Sequence, residues 1–208
     1  MEGEVLVRHA FDVGRAALYA SLDDPVEPGL IASLRALIER RVSHEPLAYV
    51  VGRREFYGLN LEVTYDVLVP RQETELLVDT ALEFLGSRSG ETLSVADVGT
   101  GAGGIALAIA THSPSATVYG TDISCRALRV AAVNRGRHNL GERLCLLHGD
   151  LMNGLPEAVD LIVCNPPYIS SGEIPMLEPE VRQEPRAALD GGIDGLGVIR
   201  RLLCEAPR

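Results

Sequence analysis

No stretch of this chain approaches the roughly 18 consecutive apolar residues that a membrane-spanning helix needs, and the opening residues Met1-Glu2-Gly3-Glu4 are acidic where a secretory signal is basic. These two absences argue against membrane attachment and make the cytoplasm the expected compartment. Basic charge is also scarce, with 19 Lys and Arg against 29 Asp and Glu and a formal charge of −10. Neutralising a phosphate backbone takes clustered cations, so direct nucleic-acid binding is not expected unless a local basic patch provides for it. The four cysteines, Cys125, Cys145, Cys164 and Cys204, form no C-x-x-C pair. Three sit within or beside apolar segments, so they read as free buried thiols, and no metal is expected. What remains is ordinary for a soluble globular chain: 46% hydrophobic and 23% charged residues over a length of 208. That length suits one α/β domain with a core and a small appendage.

Along the chain, residues 5–42 alternate short helical patterns around a break from Ser21 to Gly29 that contains Pro25 and Pro28. In the second piece Ile31, Leu34, Leu37, Ile38 and Val42 recur at helical spacing, which predicts one buried face in a module of two or three helices. The stretch Glu55 to Val63, with Gly58 and Asn60 set among β-formers, predicts a hairpin. A helix is expected from about Glu73 to Leu85, burying Leu76, Leu77, Thr80, Ala81 and Phe84. Strands are then expected at Leu93–Val98, Thr117–Thr121, Arg143–His148 and Leu161–Cys164, with helices over Ile105–Thr111 and Ser124–His138 between them. This alternation predicts a parallel, doubly wound Rossmann-like α/β sheet that binds its ligand at the carboxyl ends of the strands.

The residues with chemistry fall at those ends. Asp97-Val98-Gly99-Thr100-Gly101-Ala102-Gly103-Gly104 joins the first sheet strand to its helix. Gly99, Gly101 and Gly104 fit the dinucleotide pattern, while Asp97 followed by Gly99, Gly101 and Gly103 fits the loop of S-adenosylmethionine enzymes, so the glycines alone do not choose. Asp122 ends the second strand, where a carboxylate can accept from ribose hydroxyls, and Asp150 follows the third, placed to accept from an adenine amino group. Each could instead cap a turn. Three acids in register with the glycine loop favour an adenosine-sized cradle, and carboxylates suit a sulfonium better than a pyrophosphate.

After the apolar run Leu161-Ile162-Val163-Cys164 comes Asn165-Pro166-Pro167-Tyr168. Each proline fixes its own φ and holds the residue before it extended, so the turn is stiff before a ligand arrives. The Asn165 side-chain oxygen and the Pro166 carbonyl can both accept from one NH₂ group, and Tyr168 can stack on its plane. This suits an amide or exocyclic amino nitrogen, a weak nucleophile that gains from being held in line. No general base is required, and neither His148 nor Glu173 is assigned a catalytic part.

These segments, with Glu45-Pro46-Leu47-Ala48-Tyr49, Glu55-Phe56-Tyr57-Gly58, Val69 to Glu75 and Glu184 to Gly192, closely resemble the peptide chain release factor N5-glutamine methyltransferases, the PrmC/HemK family. The resemblance implies methyl transfer from S-adenosyl-L-methionine to the Gly-Gly-Gln glutamine of class I release factors. It implies cofactor contacts from Gly99, Thr100, Gly101, Ala102, Gly103, Asp122, Asp150, Leu151 and Asn165, and amide contacts from Asn165, Pro166, Pro167 and Tyr168, with Asn165 and Tyr168 catalytic. It divides the chain into a release-factor docking module at residues 1–52, a hairpin linker at 53–72 and a methyltransferase domain at 73–208. Against the family pattern, Gln72 replaces a proline, Leu151 stands where an aromatic is common, the amino-terminal module is shorter, and family members continue past Arg208. The strand Leu161–Cys164 is therefore expected to form an apolar sheet edge. The rival readings are an adenine-N6 or ribosomal-protein glutamine methyltransferase, a NAD-binding oxidoreductase in which the Asn-Pro-Pro-Tyr turn has no task, and an inactive homologue that only binds.

Overall fold

A computed structural model describes residues 2–88 and 90–206. The chain begins with four helices, α1 (Glu2–Phe11), α2 (Arg15–Ala20), α3 (Pro28–Val42) and α4 (Leu47–Val51). Pro28 opens α3 at a position where its missing N–H costs nothing. Leu6, Val50 and Val51 form a small core, against which Leu34 and Leu37 pack from α3. The remainder of the expected α3 face is not buried, because Ile31, Ile38 and Val42 are exposed. Helix α3 meets α1 and α4 along one narrow seam, and short neighbours cannot cover so wide a stripe.

The hairpin pairs β1 (Arg53–Phe56) with β2 (Leu59–Glu62), in register Phe56↔Leu59 to Arg53↔Glu62. Its turn is Tyr57-Gly58, both left-handed at φ +51° and +75°, whereas Asn60 lies within β2 opposite Glu55. Left-handed geometry at both central residues matches the twist of a two-residue hairpin loop. Phe56 and Leu61 are fully buried over Gly104, where an added Cβ would lie 3.2 Å from the Phe56 ring and 3.4 Å from Leu61.

The main sheet contains β3 (Ser94–Val98), β4 (Thr117–Asp122), β5 (Leu144–His148) and β6 (Leu161–Cys164). All pairs are parallel and the order is β5-β4-β3-β6. Helices α5 (Glu75–Ser87), α6 (Gly104–His112), α7 (Cys125–Arg137) and α8 (Gly197–Glu205) accompany it. Helix α6 is buried from Gly104 to Ala110 and forms the centre of the core with Val95, Val118 and Leu144. From β3 the chain moves to one side to reach β4 and to the other to reach β6, which makes the carboxyl end of β3 the topological switch point. Strand β6 pairs only with β3 among the described residues and stands at the sheet edge.

Two further expectations are corrected. Helix α5 starts at Glu75, after a 3-10 turn at Gln72–Thr74, and buries Val78, Ala81 and Leu85 while Leu76 and Thr80 face solvent. The hairpin sets this rotation: Glu75 Oε1 accepts from the Tyr57 N–H at 2.9 Å and Asp79 Oδ1 from the Tyr57 hydroxyl at 2.6 Å, so the 75/79 stripe faces β1–β2. The cysteines are free but not buried; Cys125, Cys145 and Cys204 are exposed and Cys164 is half-buried. Cys145 lies on the edge strand β5, between the inward Leu144 and Leu146, and Cys125 and Cys204 lie on exposed helix positions. Among the described residues no helix is long and apolar enough to cross a membrane.

Candidate active site

Pairing of Val98 with both Thr121 and Cys164, and of Asp122 with His148, brings Gly99, Asn165 and Asp122 to one row at the carboxyl edge of the sheet. Adjacent strands lie about 4.8 Å apart, so this row is the right size for a nucleoside. Two cavities of about 510 and 470 Å³ flank the hairpin and contain none of these residues. The site is the open edge itself.

The glycine loop is held by main-chain bonds. Thr121 O accepts from Gly99 N at 2.9 Å and Thr100 N at 2.8 Å, and Thr100 O accepts from Gly103 N at 2.8 Å. Gly99, Gly101 and Gly103 take φ of +74°, +56° and +87°, a region that a side chain disfavours. An added Cβ at Gly99 or Gly101 would meet no protein atom within 4 Å, so open space lies beside the loop. Asp122 braces it from the next strand: Oδ2 accepts from Gly101 N at 2.9 Å and Oδ1 from Ser124 N at 2.8 Å. Each carboxylate oxygen keeps a further lone pair for a ligand hydroxyl. Ser124 then caps α7 by accepting from Ala127 N at 3.2 Å.

Asp97 is the most constrained acid of the site. It is 1% exposed, and its Oδ2 accepts from Thr100 Oγ1 at 2.6 Å and from Ala106 N at 3.1 Å. Its Oδ1 is buried with no hydrogen-bond partner. Burial raises its pKa from 3.8 to about 6; the Thr100 and Ala106 bonds oppose the rise and the charge of Asp122 adds to it. An orphaned carboxylate oxygen beside an open glycine loop calls for a cationic or donor-bearing ligand. S-adenosyl-L-methionine, with its sulfonium, amino and hydroxyl groups, fits that set.

The third acid has one carboxylate oxygen engaged by α8. Asp150 Oδ2 accepts from Arg201 Nη2 of α8 at 2.5 Å, a partner 51 residues away that the sequence does not suggest. Beside it Leu151 takes φ +53°, and its carbonyl accepts from Thr121 Oγ1 at 2.9 Å. Gly149 is required here, since an added Cβ would fall 1.5 Å from Asn153 O.

The Asn165 amide donates from Nδ2 to Thr74 Oγ1 at 3.1 Å, which leaves Oδ1 as an acceptor. Pro166 and Pro167 are half-buried, and Tyr168 is 64% exposed with its ring available for stacking. The turn is backed from behind. Ile169 N donates to Leu189 O at 3.0 Å, Gly191 N donates to Ile169 O at 2.8 Å, and an added Cβ at Gly195 would lie 2.3 Å from Tyr168 O. Buried Glu184 connects this backing to the segment before α5: it pairs with Arg71 and accepts from Val69 N at 2.9 Å. Cys164, one residue before Asn165, has its thiol pushed up to about 12 by burial and the charge of Asp97, so it stays protonated at neutral pH. Thr74, Arg201 and Gly195 are thus site residues that sequence reasoning missed. Thr74 lies in the Val69 to Glu75 segment that carries the family resemblance but had no role assigned, and Gly195 left a trace in the density of glycines from Gly191 to Gly197.

Residues 73–190 match the Methyltransferase small domain family, and residues 1–52 match the PrmC N-terminal domain. Over 209 aligned residues the chain is 43% identical to release factor glutamine methyltransferase of Geobacter sulfurreducens, covering 100% of this chain and 72% of that protein. The chain belongs to the release factor glutamine methyltransferase family. The relatives of the same name from Moorella thermoacetica and Bordetella pertussis are each 44% identical, matching 98% and 100% of this chain and 71% and 76% of their own lengths. As a family member the chain is an S-adenosylmethionine-dependent methyltransferase. Among solved structures the human Mettl16 catalytic domain, in complex with a 3′UTR hairpin, aligns with TM-score 0.57 at 17% identity over 86% of this chain and 62% of that one. At that identity the likeness is one of fold.

Proposed function

We propose that this chain methylates the side-chain amide nitrogen of the Gly-Gly-Gln glutamine in class I peptide chain release factors. In this reading Gly99 to Gly103, Asp122, Asp150 and Leu151 hold S-adenosyl-L-methionine, while Asn165 to Tyr168 hold the amide. Residues 1–52 and the hairpin at 53–72 serve as the docking module for a methyltransferase domain at 73–208. The observation that carries it is the fixed Asn165 amide, whose Nδ2 is engaged by Thr74, within a turn stiffened by two prolines.

A carboxamide nitrogen attacks poorly because its lone pair is delocalised into the carbonyl. Asn165 Oδ1 and the Pro166 carbonyl, by accepting both N–H bonds, hold the NH₂ in one plane and favour lone-pair density on nitrogen. Tyr168 supplies a flat face for the amide and for the positive charge that grows on it. The bound cofactor supplies an electrophilic methyl on a cationic sulfur. Asp97, at 1% exposed and with one oxygen unpartnered, favours a cation in the cradle. The proton leaves the methylated nitrogen for water, and the site dedicates no base to it. His148 Nε2 lies 3.0 Å from Ile123 O, and Glu173 Oε2 accepts from Ser170 Oγ at 2.7 Å. Both are occupied with local structure.

Transfer of radiolabelled methyl from S-adenosylmethionine to a release factor tests this directly. Label is expected on the intact factor and not on its Gln→Ala variant. Equal labelling of both would overturn the assignment.

A further inference from the structure

Thr74 immediately precedes α5, at the position where a threonine hydroxyl ordinarily accepts from a backbone N–H of the first helical turn. Here it does not. Its backbone is already helical at φ −70° and ψ −17°, and its side chain makes no capping bond. The hydroxyl instead accepts from Asn165 Nδ2 at 3.1 Å, across 91 residues of sequence. With no cap to make at this helical backbone, the Thr74 hydroxyl is free for a task in the Asn165 turn.

The task follows from the two ends of an amide. To receive a substrate NH₂, Asn165 must present Oδ1, because Nδ2 facing another NH₂ would set donor against donor. That orientation directs Nδ2 into the protein, where a half-buried donor needs an acceptor. Thr74 Oγ1 supplies it. Thr74 is itself anchored: its N–H donates to Arg71 O at 3.1 Å, and Arg71 and Val69 are both bound to buried Glu184. Glu184 leads into the segment that backs Pro167 and Tyr168, so one frame fixes the amide and the turn carrying it.

We infer that Thr74 is a positioning residue for methyl transfer, holding the Asn165 amide with Oδ1 turned to the substrate nitrogen. This rests on the reading of Asn165 given above. Thr74→Val keeps the shape and removes the hydroxyl, and Thr74→Ser keeps the hydroxyl. Loss of one positioning hydrogen bond is expected to lower kcat about tenfold in Thr74→Val. The affinity for S-adenosylmethionine should be unchanged, and Thr74→Ser should recover kcat to within about twofold. In an Asn165→Ala background Thr74→Val should cause no further loss, since there is no amide left to orient.

A wild-type kcat in Thr74→Val, with Asn165→Ala inactive, would overturn this inference alone. So would equal losses in Thr74→Val and Thr74→Ser accompanied by a lower melting temperature, which would mark a role in helix structure. Losses that multiply in the double variant would also count against it. Unchanged turnover in Asn165→Ala would overturn the site reading and this inference together.

Discussion

In the proposed reading, Asp97 trades stability for binding. Its carboxylate is buried with one oxygen unpartnered and a pKa raised to about 6. Between about pH 4 and 6 the folded chain holds this proton more tightly than the unfolded one, so stability falls as pH rises through that window. Above pH 6 the full penalty, on the order of 3 kcal/mol, is present. Asp97→Asn should therefore raise the melting temperature of the cofactor-free protein at pH 7.5 and change it little at pH 4. The same substitution should weaken S-adenosylmethionine binding by about tenfold or more, as loss of a charged acceptor does. In the wild type, calorimetric affinity should decline as pH falls below about 6 and Asp97 becomes protonated. Affinity independent of pH from 5 to 8 would show that Asp97 does not face the cation.

At the scale of elements, the proposed site lies on loops whose paths glycine decides. A Cβ at Gly195 would sit 2.3 Å from Tyr168 O, and one at Gly191 would sit 2.8 Å from Pro167 O. Gly195→Ala should displace the Asn-Pro-Pro-Tyr backbone, abolishing methyl transfer in an activity assay while leaving cofactor affinity near wild type. Glu184 secures the other side of the turn. Its side chain is 2% exposed, while its partner Arg71 keeps 36% of its side chain in solvent. Glu184→Ala should cost about 2–3 kcal/mol in denaturant unfolding, less than a wholly buried pair. The glycine loop and the strand ends were legible in the sequence because turn chemistry and apolar runs are local signals. Strand Leu161–Cys164 was read to its ends, and α6 and α7 to within a residue. The faces of α3 and α5 were not legible, since their rotation depends on partners. Tyr57 turns the Glu75 and Asp79 stripe toward the hairpin, and no periodicity within α5 records that. The roles of Thr74 and Arg201 were not legible for the same reason, because their partners lie 91 and 51 residues away.

Across the whole molecule the amino-terminal helices touch the segment that supports the proposed site. Arg41 at the end of α3 pairs with Glu180 at 2.6 Å, and Gln183 Nε2 donates to Ser43 O at 3.1 Å. These contacts lead directly to Glu184 and the turn it supports. At the other limit of the sheet, β6 offers an apolar edge of Leu161, Ile162, Val163 and Cys164 with one side unpaired among the described residues.

The central claim is that a rigid turn aims two acceptor oxygens at an otherwise inert amide. Its most direct test is the single-turnover rate of methyl transfer to a release factor, at saturating S-adenosylmethionine, for Asn165→Ala beside the wild type. A loss of about a hundredfold or more at saturating cofactor is predicted, the scale on which a preorganised hydrogen-bonding group acts. A wild-type rate would contradict the account.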